Sequence, residues 1–169
     1  MAGYGYYKGE QVAVYDIETG LYYQSISVKV ETKSFLSSGE SDKVVNIAIY
    51  NPKTEQHHLL FEKNLSNKIS LFLFEQKIVE NQIKFHGDNY QIKNNRVETQ
   101  RPIKNKLLIG VYNPETKITT LWTATKNGEQ LKKLTNIPSK VSWHIDVKNN
   151  QLNLIDSHHG KFKINHYDW

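Results

Sequence analysis

The sequence contains no cysteine in 169 residues. This absence excludes a disulfide scaffold, a zinc site built on thiolates and a cysteine nucleophile. Long apolar runs are missing as well, because segments such as residues 69–74 are far shorter than the roughly 18 residues that a membrane-spanning helix needs. We therefore expect no membrane span.

Arginine is scarce, although the formal net charge is +5 and the isoelectric point is about 9.2. Of the 22 Lys and Arg residues, only Arg96 and Arg101 are arginine. Base and phosphate recognition favours the planar guanidinium fork, whereas lysine commonly solvates strand faces and sheet edges. The charge thus predicts a lysine-rich surface and no nucleic-acid partner.

The residues that are present suffice for a core, since 38% are hydrophobic and there are ten Tyr, six Phe and three Trp. This length and composition predict a single domain over residues 1–169, in which residues 1–10 form a flexible leader rich in Gly and Tyr. The leader shows no basic and then apolar signal pattern. It suits an exported protein whose signal has been removed, which predicts the periplasm or another envelope compartment; a cytoplasmic location is the alternative.

An internal repeat is the main pattern in the chain. Residues 12–20, 47–55 and 109–117 share a plan in which a β-branched residue, a small residue, a second β-branched residue and Tyr precede an Asp or Asn turn. Each copy predicts a β-hairpin, and residues 144–155 form a weaker fourth copy. The small residues Ala13, Ala48 and Gly110 predict that a neighbouring backbone lies close to each hairpin. The tyrosines Tyr15, Tyr50 and Tyr112 are predicted to lie in the core.

Turn residues divide the chain into about twelve strands, and no interval offers a good amphipathic helix. The pattern predicts an all-β protein of antiparallel hairpins. The predicted strands are near 12–16, 21–30, 44–50, 57–62, 69–74, 77–85, 89–93, 106–112, 118–124, 130–134, 141–147 and 151–156, with one more at 161–166.

Residues 106–143 carry a more specific pattern. Leu107-Leu108-Ile109-Gly110-Val111-Tyr112 is followed by Leu121-Trp122, the polar turn Asn127-Gly128, Leu134-Thr135 and then Trp143. This order resembles blades of the TolB-type, WD40-like β-propellers. The resemblance implies a small or incomplete propeller that binds protein in the cell envelope. Four strands per blade would allow only about four blades in this length, so a β-sandwich or barrel is the alternative.

The segment Trp143-His144-Ile145-Asp146 predicts a polar site, because period-two alternation places His144 and Asp146 on one face of a strand. A histidine oriented by a carboxylate is half of a general-base arrangement, but no Gly-x-Ser-x-Gly turn accompanies it. We therefore predict no catalytic residue here.

Three histidine-rich spots are the remaining candidates for metal ligands: His57-His58, His158-His159, and His166 with Asp168. His57-His58 and His158-His159 are each adjacent, so in a strand each pair can offer at most one ligand to a site. We predict no metal site and no cofactor, and a simple turn at His158-His159-Gly160.

Tyrosine supplies the best candidate binding surface, since its ring gives contact area and its hydroxyl a hydrogen bond. The candidates are Tyr4, Tyr6, Tyr7, Tyr22 and Tyr23. The leading hypothesis is a non-enzymatic domain that recognises a protein partner. An immunity-type inhibitor of an effector protein is a second interpretation of the same features, and a metal-dependent or His-Asp hydrolase is the enzymatic alternative.

Overall fold

The computed structural model describes residues 11–34, 37–87, 90–97 and 101–169. These residues form thirteen strands and no helix, which confirms the predicted all-β class. None of them belongs to a helix of the length and hydrophobicity that a membrane crossing requires. The strands are β1 (Ala13–Tyr15), β2 (Tyr22–Ser34), β3 (Ser37–Asn51), β4 (Gln56–Leu59), β5 (Lys68–Val79), β6 (Gln82–His86), β7 (Ile92–Lys93), β8 (Leu107–Asn113), β9 (Ile118–Ala124), β10 (Lys132–Ile137), β11 (Ser142–Asp146), β12 (Gln151–Asp156) and β13 (Lys163–Asp168).

The strands form three sheets, which we call the first, middle and last sheet. The first sheet has the order β1-β2-β3-β4, the middle sheet β10-β9-β8-β5-β6 and the last sheet β13-β12-β11-β7. Neighbouring strands are antiparallel except β7 and β11, which are parallel. No sheet formed by the described residues closes into a barrel, so the barrel alternative does not hold.

The middle sheet is buried on both faces. Side chains alternate along β8, so that Leu107 and Ile109 belong to a core shared with the first sheet, whereas Leu108 belongs to a core shared with the last sheet. Phe72 and Leu73 of β5 divide between the two cores in the same way. A strand covered on both faces needs apolar residues at consecutive positions, which explains the unbroken apolar sequence of β8.

The two cores define a stack of three sheets. The first core contains described residues of the first and middle sheets, the second contains residues of the middle and last sheets, and neither joins the two outer sheets. A propeller requires its blades to surround a common axis. The propeller-like arrangement implied by the resemblance is therefore not confirmed.

The hairpins of the internal repeat are all present, as β1–β2, β3–β4, β8–β9 and the weaker β11–β12. In the first three, the fifth residue of the turn donates its N–H to the carbonyl of the opening Asp or Asn, over 2.7 to 2.8 Å. That fifth residue is Gly20, Glu55 or Lys117, and each has a positive φ. Thus one local sequence plan produces one turn geometry three times.

The small residues of the repeat have different surroundings. At Gly110 an added Cβ would lie 2.8 Å from Cβ of Leu71, which confirms a close approach there. Ala13 is exposed and Ala48 half-buried, so they mark no such approach. The tyrosines that follow them are not core residues either, since Tyr15 is exposed and Tyr50 and Tyr112 are half-buried.

A buried ion pair connects the first and middle sheets. Nζ of Lys126, in the loop after β9, lies 3.0 Å from Oδ2 of Asp16, and both side chains are almost completely buried. The ammonium also donates to the carbonyl oxygen of Glu75 over 2.8 Å and lies 5.3 Å from the ring centre of Phe74. Asp16 opens the first repeat turn, where the second and third copies have Asn. The acid at this position therefore supplies the counter-charge for Lys126.

A second buried carboxylate connects the middle and last sheets. Glu75 accepts two hydrogen bonds from the guanidinium of Arg101, both at 2.7 Å, and one from Nε1 of Trp169 at 2.8 Å. The main-chain N–H of Lys104 donates to the same carboxylate over 3.1 Å. Every oxygen of Glu75 is thus satisfied, as a buried charge requires.

Gly110 should tolerate no side chain. Replacing it with Val is expected to lower the free energy of unfolding by about 1–3 kcal/mol, because the added atoms collide with Leu71 in a closely packed core. The control is Ala48→Val at the equivalent repeat position, where the side chain lies on an open face and the expected change is within about 0.5 kcal/mol. Urea denaturation measures both, and equal losses would contradict the close approach at Gly110.

The ion pair should reveal itself in a double-mutant cycle. Lys126→Met is expected to lower the free energy of unfolding by about 3–5 kcal/mol, because it leaves Asp16 buried without a cation. Adding Asp16→Asn should restore most of that loss, since Asn occupies this turn position in the other two copies. Chemical denaturation of the four proteins gives the coupling. Additive losses would show that the two side chains do not act as a pair.

Candidate functional site

The outer face of the last sheet carries a polar row that includes the predicted His144. In the strand register His144 pairs with Asn153, and Asn153 pairs with His166, so the row crosses β11, β12 and β13. Trp143 and Ile145 face the second core, which confirms that His144 and Asp146 share the opposite face of β11. His144 is therefore one member of a polar row on three strands, together with Asn153 and His166.

Asn153 links the two histidines directly. Its Nδ2 lies 3.1 Å from Nε2 of His144, and its Oδ1 lies 2.6 Å from Nδ1 of His166. The amide NH2 can only donate and the amide oxygen can only accept, so His144 accepts at Nε2 while His166 donates from Nδ1. A flip of the amide would reverse both roles together. One asparagine thus fixes the hydrogen-bonding states of both rings relative to each other.

Asp146 does not orient His144 through a hydrogen bond. Its carboxylate accepts from the backbone N–H of Asn149 over 3.1 Å and from the Asn149 side chain over 2.8 Å, which closes the β11–β12 turn. Partial burial favours a higher pKa for Asp146, but the hydrogen bonds from Asn149 and Asn94 and the nearby His144 outweigh it and lower the pKa. The Asp146 carboxylate therefore stabilises the β11–β12 turn, while His144 bonds to Asn153.

The described residues contain no group of three or more His, Asp or Glu side chains placed to hold a metal ion. The adjacent histidines diverge as their strand position predicts: His58 points to the neighbouring loop, where Nε2 lies 2.7 Å from the carbonyl oxygen of Asn127. His159 and Gly160 form a turn with positive φ at both residues.

The predicted tyrosine surface separates into three parts. Tyr4, Tyr6 and Tyr7 lie outside the described residues. Tyr23 is completely buried in the first core, where its hydroxyl donates to the carbonyl oxygen of Lys126 over 2.6 Å, so it belongs to no surface. Burial, followed by the charge of Asp16, raises the pKa of Tyr23 far above its usual value and keeps it a neutral donor. Tyr22, one residue earlier, points to the opposite face.

Tyr22 lies in an aromatic row on the outer face of the first sheet. The register pairs Tyr15 with Tyr22, Tyr22 with Tyr50, and Tyr50 with His57, so four adjacent strands each contribute one ring. The rings of Tyr15 and Tyr22 are 4.6 Å apart between centres and tilted by 49°. Val14, Tyr23 and Ile49, which alternate with these residues, all face the first core. The row therefore faces away from the rest of the molecule.

Sequence reasoning found His144 and Tyr22 but did not predict which residues lie beside them in each row. Asn153 and His57 enter their rows only through strand register, which depends on where each hairpin turns. The β11–β12 turn around Asn149 and Asn150 was visible in the sequence, and counting outward from it would have paired His144 with Asn153. No comparable signal indicates that the first sheet leaves one face uncovered.

The hydrogen bonds at Asp146 should be measurable by NMR. In a pH titration, its carboxyl carbon is expected to show a pKa below the ordinary aspartate value of about 3.9, and Asn149→Ala should raise it. Because the pKa is lowered on folding, this carboxylate stabilises the fold above the unfolded-state pKa. That stability is lost as the pH falls through the folded-state value.

The same spectrum contains a control for this titration. Hydrogen bonds from the backbone and side chain of His158 lower the pKa of Asp156, and the Asn149 variant should leave that pKa unchanged. An Asp146 pKa that does not respond to Asn149→Ala would contradict the assigned cause.

Comparison with known proteins gives no relative for this chain: no family model, curated protein or solved structure matches it. The resemblance of residues 106–143 to TolB-type propeller blades stays a prediction.

Proposed function

We propose that this protein is a non-enzymatic binding domain that recognises another protein through the outer face of its first sheet. The observation that carries this proposal is the distribution of exposed apolar side chains. Of the eight large hydrophobic residues that are exposed in the described part of the chain, five lie on the first sheet or its β1–β2 turn: Tyr15, Ile17, Val28, Val30 and Leu59. A concentration of exposed apolar side chains on one part of a protein is typical of interaction sites.

The aromatic row forms one end of this face. Tyr15 is 56% exposed and Ile17 in the following turn is 67% exposed, while Tyr22 is half-buried beside them. Aromatic rings with polar ends are enriched at the centres of protein interfaces, because they bury a large area at a small loss of side-chain entropy. We infer that Tyr15, Ile17 and Tyr22 form the main contact.

The surface continues from this end along β2. Side chains at alternate positions share a face, so Ile26, Val28 and Val30 follow Tyr22 and Gln24 on the outer side. The register shift in this hairpin skips a residue of β3, so β2 keeps its alternation through Val28 and Val30. Apart from Gln24, this face of β2 therefore presents apolar side chains from the aromatic row to Val30.

A protein in the envelope and an effector that this domain inhibits would both fit such a surface. We propose an envelope partner in the periplasm first, with a cytoplasmic location as the alternative. Most of the exposed large apolar side chains of the described residues lie on the first sheet and not around the His144 row, and the His144 imidazole is bonded to an amide instead of a carboxylate. This arrangement supports binding over His-Asp hydrolysis as the function to test first.

A capture experiment tests the proposal with a matched control. The full chain is immobilised and used to retain proteins from a lysate of the source cells, and the same is done with the double variant Tyr15→Ser, Ile17→Ser. Both side chains are largely exposed, so the variant should fold, and loss of two central apolar contacts should weaken binding of the retained protein about tenfold or more.

The control is Phe162→Ser, which removes a side chain of 69% exposure from the turn before β13, far along the chain from the first sheet. It should retain the partner as the unaltered protein does. No retained protein, or equal loss with both variants, would contradict the proposed surface.

A further inference from the structure

A cavity of about 220 Å³ lies beside the segment that leads into β8, between that segment, β9, β10 and Trp169. Three lysines line it: Lys104 and Lys106 from the segment before β8, and Lys132 from the start of β10. Neither the proposed protein-binding face nor the polar row of His144 includes any of these residues. The cavity is therefore a separate feature of the molecule.

Two of the three ammonium groups are held in place by main-chain oxygens. Nζ of Lys104 donates to the main-chain oxygen of Trp169 over 2.7 Å, and Nζ of Lys106 donates to the carbonyl oxygen of Asp168 over 2.9 Å. Nζ of Lys106 also lies 5.4 Å from the ring centre of Trp169. Each ammonium has three donors, so both groups keep N–H bonds for a ligand.

Among the described residues, no side-chain carboxylate forms an ion pair with any of these three lysines, in contrast to buried Lys126 and half-buried Arg101. Burial, followed by the charge of Lys104, lowers the pKa of Lys106; Lys132 acts in the same direction, whereas Asp168 and Glu75 act in the opposite one. Three like charges thus line one cavity. A bound anion would relieve this repulsion.

We propose that this cavity binds a small anion that carries phosphate groups. Lysine binds phosphate as a point charge, and three lysines around one cavity match an anion with more than one negative charge. Thr123 and Gln130, which also line the cavity, offer a hydroxyl and an amide as neutral donors. The volume of about 220 Å³ is well above what a single water molecule needs, so a small anion can enter.

Lys132 suits a test of this proposal, because its side chain is exposed and its ammonium forms no hydrogen bond with another described residue. Isothermal titration calorimetry of the full chain with pyrophosphate, at ionic strength held constant with chloride, should show binding. Lys132→Gln is expected to weaken it about tenfold, the loss that follows removal of one charge-assisted hydrogen bond.

The neighbouring residue on β10 provides the control. Lys132 pairs with Thr123, which lines the cavity, whereas Lys133 pairs with Trp122, which packs against the first core. Successive strand residues point to opposite faces, so Lys133→Gln removes the same charge on the other side of the sheet. It should leave pyrophosphate binding unchanged, and so should the double variant Tyr15→Ser, Ile17→Ser.

Three results would overturn the proposal. The first is no binding of pyrophosphate at millimolar concentration by the unaltered protein. The second is equal weakening by Lys132→Gln and Lys133→Gln, which would show only a general effect of charge. The third is tighter binding of a short thymidine oligonucleotide with the same dependence on Lys132, which would assign the lysines to a nucleic-acid backbone.

Discussion

Burial of two carboxylates, those of Asp16 and Glu75, is the constraint on which the stack of sheets depends. Each lies between the middle sheet and an outer sheet, where an unpaired charge would be destabilising by several kcal/mol. Lys126 forms an ion pair with Asp16, and Arg101 forms one with Glu75. The Lys126 ammonium also donates to the main-chain carbonyl of Glu75. The partners come from loops and from distant parts of the chain, so the sheets must stack in one arrangement for both charges to be satisfied.

This arrangement decides which surfaces remain for function. The middle sheet is covered on both faces, and each outer sheet gives its inner face to a core. Two outer faces remain, and their chemistry differs: the first sheet presents tyrosines and aliphatic side chains, and the last sheet presents the His144–Asn153–His166 row. An apolar face suits a protein partner, whereas a polar row with satisfied hydrogen bonds can remain in water without one.

The same distinction applies to the positive charge. Lys126 and Arg101 pair with buried carboxylates, whereas Lys104, Lys106 and Lys132 line a cavity and form no ion pair with a side-chain carboxylate of the described residues. The net charge of +5 therefore includes both paired cations and cavity-lining lysines, and composition alone does not distinguish them. Lysines exposed along strands are consistent with a solvated surface. The three lysines that line the cavity instead create a local positive electrostatic field.

The sequence by itself determined the strands and the hairpins, because alternation and turn chemistry are local. Asp or Asn followed by Thr produced the same turn in three repeat copies, and the unbroken apolar sequence of β8 already indicated burial on both faces. Only the tertiary structure decided which face each tyrosine occupies: Tyr22 and Tyr23 are neighbours in sequence, yet one faces outward and the other is completely buried. Register, the stacking of the sheets and the pairing of Asp16 with Lys126 join residues far apart in the chain, and no local preference encodes such contacts.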